Sequence, residues 1–212
     1  MPQPLSRVNP NASIIIGNAG DRPLARHPDL AVLALEAIAS WSNVEAFLLR
    51  LFIQLLGGND SLAASVYLSL EGQSAKTSAI KAASTKALET RPQEASVLDA
   101  ILRLAKTNEK DRNKLAHWTW GESPAIPDAV LLIDPRATLN ELNLSEIYVY
   151  RAHDFQSIIQ SNDRLCGFGL SLKFVLSGHV ANRDGMLLNQ LAAEPEIAER
   201  LTHQAQRARG DT

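Results

Sequence analysis

Residues 28–58, PDLAVLALEAIASWSNVEAFLLRLFIQLLGG, decide the class of fold. Leu30, Ala34, Ala37, Trp41, Val44, Leu48, Phe52 and Leu55 recur at steps of three and four, the period of one helix face. Pro28 suits a first helical position, where its missing N–H costs nothing, and Gly57-Gly58 suits the stop. Val32, Leu35, Phe47 and Leu49 lie off that stripe. A helix apolar on more than one side sits between neighbours, and a second subunit can be one of them.

The reading extends outward from this helix. Residues 1–27 carry Pro2, Pro4, Pro10 and Pro23 among polar residues, and predict an extended arm with Ile14–Ile16 as the part that orders. A short helix over 60–70 and an Ala- and Lys-rich helix over 74–88 follow. Pro92 opens a fourth, long helix that runs through Val97, Ile101, Leu104 and Ala105 to about His117. Gly121 and Pro124 close this half. The remainder differs in composition. Residues 130–134 and 146–151 are β-branched or aromatic runs separated by Pro135 and Asn140, which predicts a small hairpin. Helices over 153–179 and 185–209 complete the chain, the last bent at Pro195. The expectation is a mainly α protein: an N-terminal arm (1–27), a helical bundle (28–121), and a C-terminal extension (122–212) of a short β-hairpin plus two helices packed on that bundle.

Bulk composition agrees. With 212 residues, 45% apolar, the chain can bury a substantial core. Aromatics are only 5%, which suits packed helices better than a β-sandwich. The net charge of −2 gives no global attraction for nucleic acid, so any such contact rests on a local patch. The single cysteine, Cys166, rules out an internal disulfide framework and a multi-cysteine zinc site. No signal peptide is evident, and no stretch reads as the roughly 20 apolar residues of a membrane span. These features predict a cytoplasmic protein with no membrane association.

The chemistry-bearing stretch is residues 109–118, EKDRNKLAHW, at the end of the fourth helix. On a helical wheel, Asn108 and Arg112 fall inside the apolar stripe of Val97, Ile101, Leu104, Ala105 and Leu115. A charge there is costly unless it is paired or faces a cavity. Glu45, on the flank of the first long helix's stripe, is the nearest candidate partner, and a structural Arg–Glu pair is the plain alternative to a functional arginine. Asn113 and His117, at i and i+4, share a face. His117 is five residues from Arg112 and about 140° further round the helix, so the two do not converge within one straight helix.

Arg112-Asn113-x3-His117 resembles the signature of HEPN (higher eukaryotes and prokaryotes nucleotide-binding) domains: Arg, often followed by Asn, then His after four to six residues in all. With fourteen Arg and five His, one fixed Arg–His spacing arises by chance about 0.3 times. Arg22 and His27 also match, but they lie in the Pro-containing arm. The second match has Asn after Arg and closes the fourth helix of an all-helical stretch of HEPN size. The resemblance implies a homodimer in which two Arg and two His meet across a two-fold axis, and a metal-independent endoribonuclease, of the toxin or defence kind, with an antitoxin or regulatory protein as a further partner. Arg112, His117 and Asn113 are then catalytic, with Glu45 and Asn108 in support. Neither a cofactor nor a metal is expected. The alternative reading is a non-catalytic HEPN-like dimer that binds RNA, a nucleotide or a protein.

Lys110 and Lys114 decorate the same helix, as a solvated face or as a strip for an RNA backbone. Trp118 and Trp120 flank the motif, as packing residues or as stacking surfaces for bases. His153, His179 and His203 have no metal-ligand spacing and read as incidental. Gly167-x-Gly169 lacks the third Gly of a dinucleotide site. The tail cations Arg200, Arg207 and Arg209 read as plain surface.

Overall fold

The computed structural model describes residues 2–17, 20–57, 60–139, 142–178 and 182–208. Gly58, Asn140, His179, Arg209 and the side chain of Arg207 lie outside it. The chain is mainly helical. Its elements are β1 (Gln3–Pro4), α1 (Leu5–Val8), β2 (Ile15–Ile16), α2 (Pro23–Arg26), α3 (Pro28–Leu55), α4 (Asp60–Leu68), α5 (Gly72–Ala87) and α6 (Pro92–His117). After these come β3 (Thr119–Glu122), β4 (Val130–Ile133), β5 (Ile147–Tyr150), α7 (Ala152–Ser177), α8 (Met186–Ala193) and α9 (Pro195–Ala208). Pro28, Pro92 and Pro195 each open a helix, as their fixed φ and missing N–H favour. Arg151 precedes α7, and its backbone N–H donates to Asp154 Oδ2 at 3.1 Å, so a first-turn acid reaches back to cap the helix.

Two compact units form, and their boundaries cut across the division at 27/28 and 121/122 expected from the sequence. One unit comprises residues 1–42 and 108–162; the other comprises 43–107 and 163–212. The three long helices α3, α6 and α7 each contribute one part to each unit. Helical periodicity reports that a face is buried but not which neighbour buries it, so this partition leaves no mark in the pattern.

In the first unit, the expected hairpin β4–β5 is the centre of a five-stranded antiparallel sheet ordered β1-β5-β4-β3-β2. The arm is therefore not merely extended: Gln3 pairs with Val149, and Ile15 with Glu122, so β1 and β2 close the two edges. β3 adds residues assigned from the sequence to the bundle's end, with Trp120 opposite Leu132. β4 is buried on both faces. Val130 and Leu132 join Leu30, Ala34, Ala37, Leu115, Tyr150 and Phe155 on the helix side. Leu131 and Ile133 join Leu5, Ile126, Ala137, Ile147 and Val149 on the other. A continuous apolar run is what such a doubly covered strand needs. Gly121 is required in β3, because a Cβ there would lie 2.9 Å from both Ile133 Cδ1 and the Ile15 carbonyl oxygen.

In the second unit, α6 buries Val97, Leu98, Ile101 and Ala105, α3 buries Leu48, Leu51 and Phe52, and Tyr67, Ile80, Leu172, Leu188 and Ile197 are buried from the remaining helices. The Arg91 guanidinium donates to the Val175 carbonyl at 3.2 Å, and Gln93 to Asn189 at 3.0 Å. Gly169 explains why α7 tolerates glycine: a Cβ there would come within 1.9 Å of Phe47 Cε1.

Over an 18-residue window the mean hydropathy of α3 is 1.4, so by length and composition alone it could cross a membrane, a test that a core helix also passes. Only 33% of that window is buried, and Val32 and Leu35 stay 56% and 66% exposed. Both fall on the off-stripe face noted in the sequence.

Candidate nucleic-acid interface at the end of α6

The last turns of α6 carry the motif into the first unit. Leu115 is fully buried in the core beneath the sheet, which fixes the rotation of this helix end. Arg112 is then half-buried. Its Nη1 donates to Asn113 Oδ1 at 2.9 Å, while its Nε is buried and has no hydrogen-bond partner among the described residues. Among the described residues Arg112 makes no ion pair. A buried guanidinium N–H left unmatched costs about 1–3 kcal/mol. The Asn113 side-chain carbonyl thus holds the Arg112 guanidinium.

His117 is the final residue of α6 and is exposed. Five residues of helix separate it from Arg112 by about 7.5 Å of rise and 140° of rotation. On a straight helix the two side chains therefore leave the axis in different directions.

Beside His117 lies an aromatic platform. Trp118 and Tyr148 have ring centroids 5.8 Å apart at an interplanar angle of 43°. Lys114 Nζ sits 5.7 Å from both centroids and 3.4 Å from Asp111 Oδ1. A cation beside two rings sets a positive charge next to a half-buried aromatic pair. Tyr148 escaped the sequence reading because it is thirty residues from Trp118. The alternation in Ile147-Tyr148-Val149-Tyr150 was the available signal: Ile147 and Val149 face one core, and Tyr148 and Tyr150 the other. Lys110 is exposed on the preceding turn. Trp120 is half-buried, 6.3 Å from the Phe155 ring.

Asn108 and Glu45, expected in support, each have polar partners within their own unit. Asn108 is part of a buried polar chain: Asn108 Nδ2 donates to Asn162 Oδ1 at 3.0 Å, and Ser161 Oγ donates to Asn108 Oδ1 at 3.1 Å. Asn162 Nδ2 continues to Ser40 Oγ at 2.8 Å, and Ser40 donates to the Ala37 carbonyl. This ties α3, α6 and α7 together within the first unit. Glu45 belongs to the second unit, where its carboxylate pairs with Lys76 Nζ at 3.6 Å. Within the first unit Arg112 has Asn113 as its partner, and within the second Glu45 has Lys76, brought by α5.

A further charged cluster was not anticipated. Glu122, buried in β3, receives Arg26 Nη2 at 2.7 Å and meets His27 Nε2 at 3.2 Å. The Arg26 hydrogen bond holds this carboxyl below its ordinary range. His27, one half of the second Arg–His spacing, is therefore anchored to the sheet, whereas Arg22 is exposed. His153 and His203 are exposed beside Asp154 and Glu199. Arg200, expected on the surface, is half-buried, with its Nε unpartnered among the described residues. Among the described residues no group of three or more His, Cys, Asp or Glu side chains is placed to hold a metal. No family model, curated protein or solved structure matches the chain.

Proposed function

We propose that the chain is an endoribonuclease of HEPN type that acts without a metal through Arg112 and His117 brought together from two subunits of a homodimer. The observation that carries this reading is the state of Arg112. It lies half-buried in an apolar stripe, without an acidic partner among the described residues and with its Nε unmatched, five residues before an exposed histidine. A purely structural arginine would be paired; one that awaits a phosphate would not.

The chemistry follows from the residue types. RNA carries its own nucleophile in the 2′-hydroxyl. In a two-fold cleft, one His117 removes the 2′-hydroxyl proton as that oxygen attacks phosphorus, and the other gives a proton to the departing 5′-oxygen. Two Arg112 guanidinium groups offer fixed donors to the charge that grows on the phosphoryl oxygens. Asn113 preorganises the guanidinium by holding Nη1. Lys110, Lys114, Trp118 and Tyr148 receive the flanking strand. Exposed Val32 and Leu35 on α3 supply an apolar face for a second copy, and a two-fold axis brings equivalent patches together.

The test is RNA cleavage in EDTA by wild type, His117→Ala and Arg112→Ala. Wild type is expected to cut, leaving a 2′,3′-cyclic phosphate and a 5′-hydroxyl, and each folded variant to lose about 10²-fold or more. Unchanged cleavage in either variant, a 5′-phosphate product, or cutting of DNA overturns the assignment. RNA binding without cleavage by wild type supports the non-catalytic reading instead.

A further inference from the structure

The second unit carries a groove of about 310 Å³ between α3 and α7. From α3 it is lined by Asn43, Ala46, Phe47 and Arg50, which fall at i, i+3, i+4 and i+7 and so form one stripe. The stripe runs about 10.5 Å along the helix. From α7 it is lined by Cys166, Gly167 and Leu170.

Two glycines shape the α7 wall in opposite ways. Gly169 lets the Phe47 ring lie against the helix, since a Cβ there would come within 1.9 Å of Phe47 Cε1. Gly167 has no such neighbour, and a Cβ there would meet nothing within 4 Å. Glycine in a helix interior costs about 1 kcal/mol relative to alanine, so its presence calls for a reason. Packing supplies none at Gly167. What it leaves open is space in the groove, which is room for an occupant.

The lining states what that occupant is. The wall is apolar, with the Phe47 ring, Ala46 and Leu170. Its polar groups are the Asn43 amide and the Arg50 guanidinium, and neither side chain has a hydrogen bond or ion pair among the described residues. An exposed arginine needs no partner of its own. Beside an apolar wall it offers a fixed fork to an anionic head whose body lies on the wall. Burial, and then the charge of Asp163, push the Cys166 thiol up, so a carboxylate also acts on this groove. One guanidinium with an acid nearby favours a singly charged head over a phosphate dianion. Ligand pockets run from about 300 to 1,000 Å³, so this one takes a short chain or a single ring.

We propose that this groove binds a small monocarboxylate with an apolar body, the body on Phe47, Gly167 and Leu170 and the carboxylate on Arg50 and Asn43. The Arg112–His117 motif belongs to the first unit, so the proposal stands or falls independently of the ribonuclease reading.

The chain's one cysteine reports occupancy. Cys166 lines the groove and is half-buried, so a bound ligand should slow its labelling by N-ethylmaleimide, a neutral reagent. Labelling of the whole protein is followed by mass spectrometry with octanoate, 3-phenylpropionate, octylamine or 1-octanol. The carboxylates should protect Cys166 saturably, at concentrations at least about tenfold below those at which the amine or the alcohol does. Protection by octanoate alone or by 3-phenylpropionate alone equally supports the proposal and tells a chain from a ring. Arg50→Gln should raise the half-protecting concentration about tenfold or more. Gly167→Leu, which fills the space, should abolish octanoate binding measured by calorimetry, with the fold checked by circular dichroism. If Gly167→Leu does not fold, Arg50→Gln decides, because that side chain is exposed. No protection by millimolar octanoate, equal protection by octylamine, or a response unchanged in Arg50→Gln overturns the proposal. Protection that grows with protein concentration in the absence of ligand also overturns it, and assigns the groove to a second copy of the chain.

Discussion

Removing the Asn162 side chain should weaken the fold by about 2–4 kcal/mol. Asn162 is fully buried and makes two hydrogen bonds, accepting from Asn108 at 3.0 Å and donating to Ser40 at 2.8 Å. Each such bond contributes about 1 kcal/mol net, and a donor stranded in the core costs about 1–3 kcal/mol. Asn162→Ala loses the Ser40 bond, about 1 kcal/mol, and strands Asn108 Nδ2, about 1–3 kcal/mol, whereas Ser40 keeps its donor bond to the Ala37 carbonyl. A water drawn into the space would bring the loss to the lower end of the range. Against a typical net stability of about 5–15 kcal/mol this is a large fraction. In a chain of this size it corresponds to a fall of about 4–16 °C in Tm. Urea unfolding followed by helical circular dichroism measures it. Because Asn108 and Asn162 share one network, the double variant Asn108→Ala/Asn162→Ala should cost less than the sum of the singles. A loss under about 0.5 kcal/mol, or strict additivity, would refute the claim that this chain of amides fastens α3, α6 and α7, and with it the structural role given to Asn108.

Other expectations follow from single contacts. Gly169→Ala should destabilise by about 1–3 kcal/mol, since its Cβ would displace the Phe47 ring, while Gly167→Ala, where a Cβ meets open space, should be neutral or stabilising in the same unfolding assay. The lowered Glu122 carboxyl should contribute stability above its unfolded pKa near 4.3 and lose it as pH falls through the lower folded value; Glu122→Gln should flatten that part of the acid-unfolding profile. Leu35→Glu should convert a dimer of twice 23.1 kDa to a monomer by light scattering, and a wild type that is monomeric at micromolar concentration contradicts the shared site.

Helix boundaries were the most legible feature, because Pro28, Pro92, Pro195 and Gly57 punctuate apolar runs of helical period. The sheet was legible only at its centre. Val130–Ile133 and Ile147–Tyr150 are β-branched and aromatic, but Thr119–Glu122 is short and contains Gly121, and the edge strands have two residues each. Such strands form because their partners exist, and nothing in their own composition demands them. The site was half legible. A wheel places Arg112 in an apolar stripe and separates it from His117, but it cannot see that α5 brings Lys76 to Glu45. Nor can it see that β5 carries Tyr148 to Trp118 and Lys114, since both depend on contacts between residues about thirty apart. Nor does any periodicity announce where the arm returns along β3, which Gly17 permits because a Cβ there would lie 2.6 Å from the Trp120 carbonyl oxygen.

The composite site is tested most directly by mixing two inactive proteins. An Arg112→Ala homodimer keeps two histidines and no arginine; a His117→Ala homodimer keeps two arginines and no histidine. Subunit exchange between them produces a heterodimer with one of each in the shared cleft. Partial RNA cleavage in EDTA by the mixture, with none by either parent, is the predicted result. A mixture as inactive as its parents, after exchange has been verified and while wild type cuts RNA, would contradict the account.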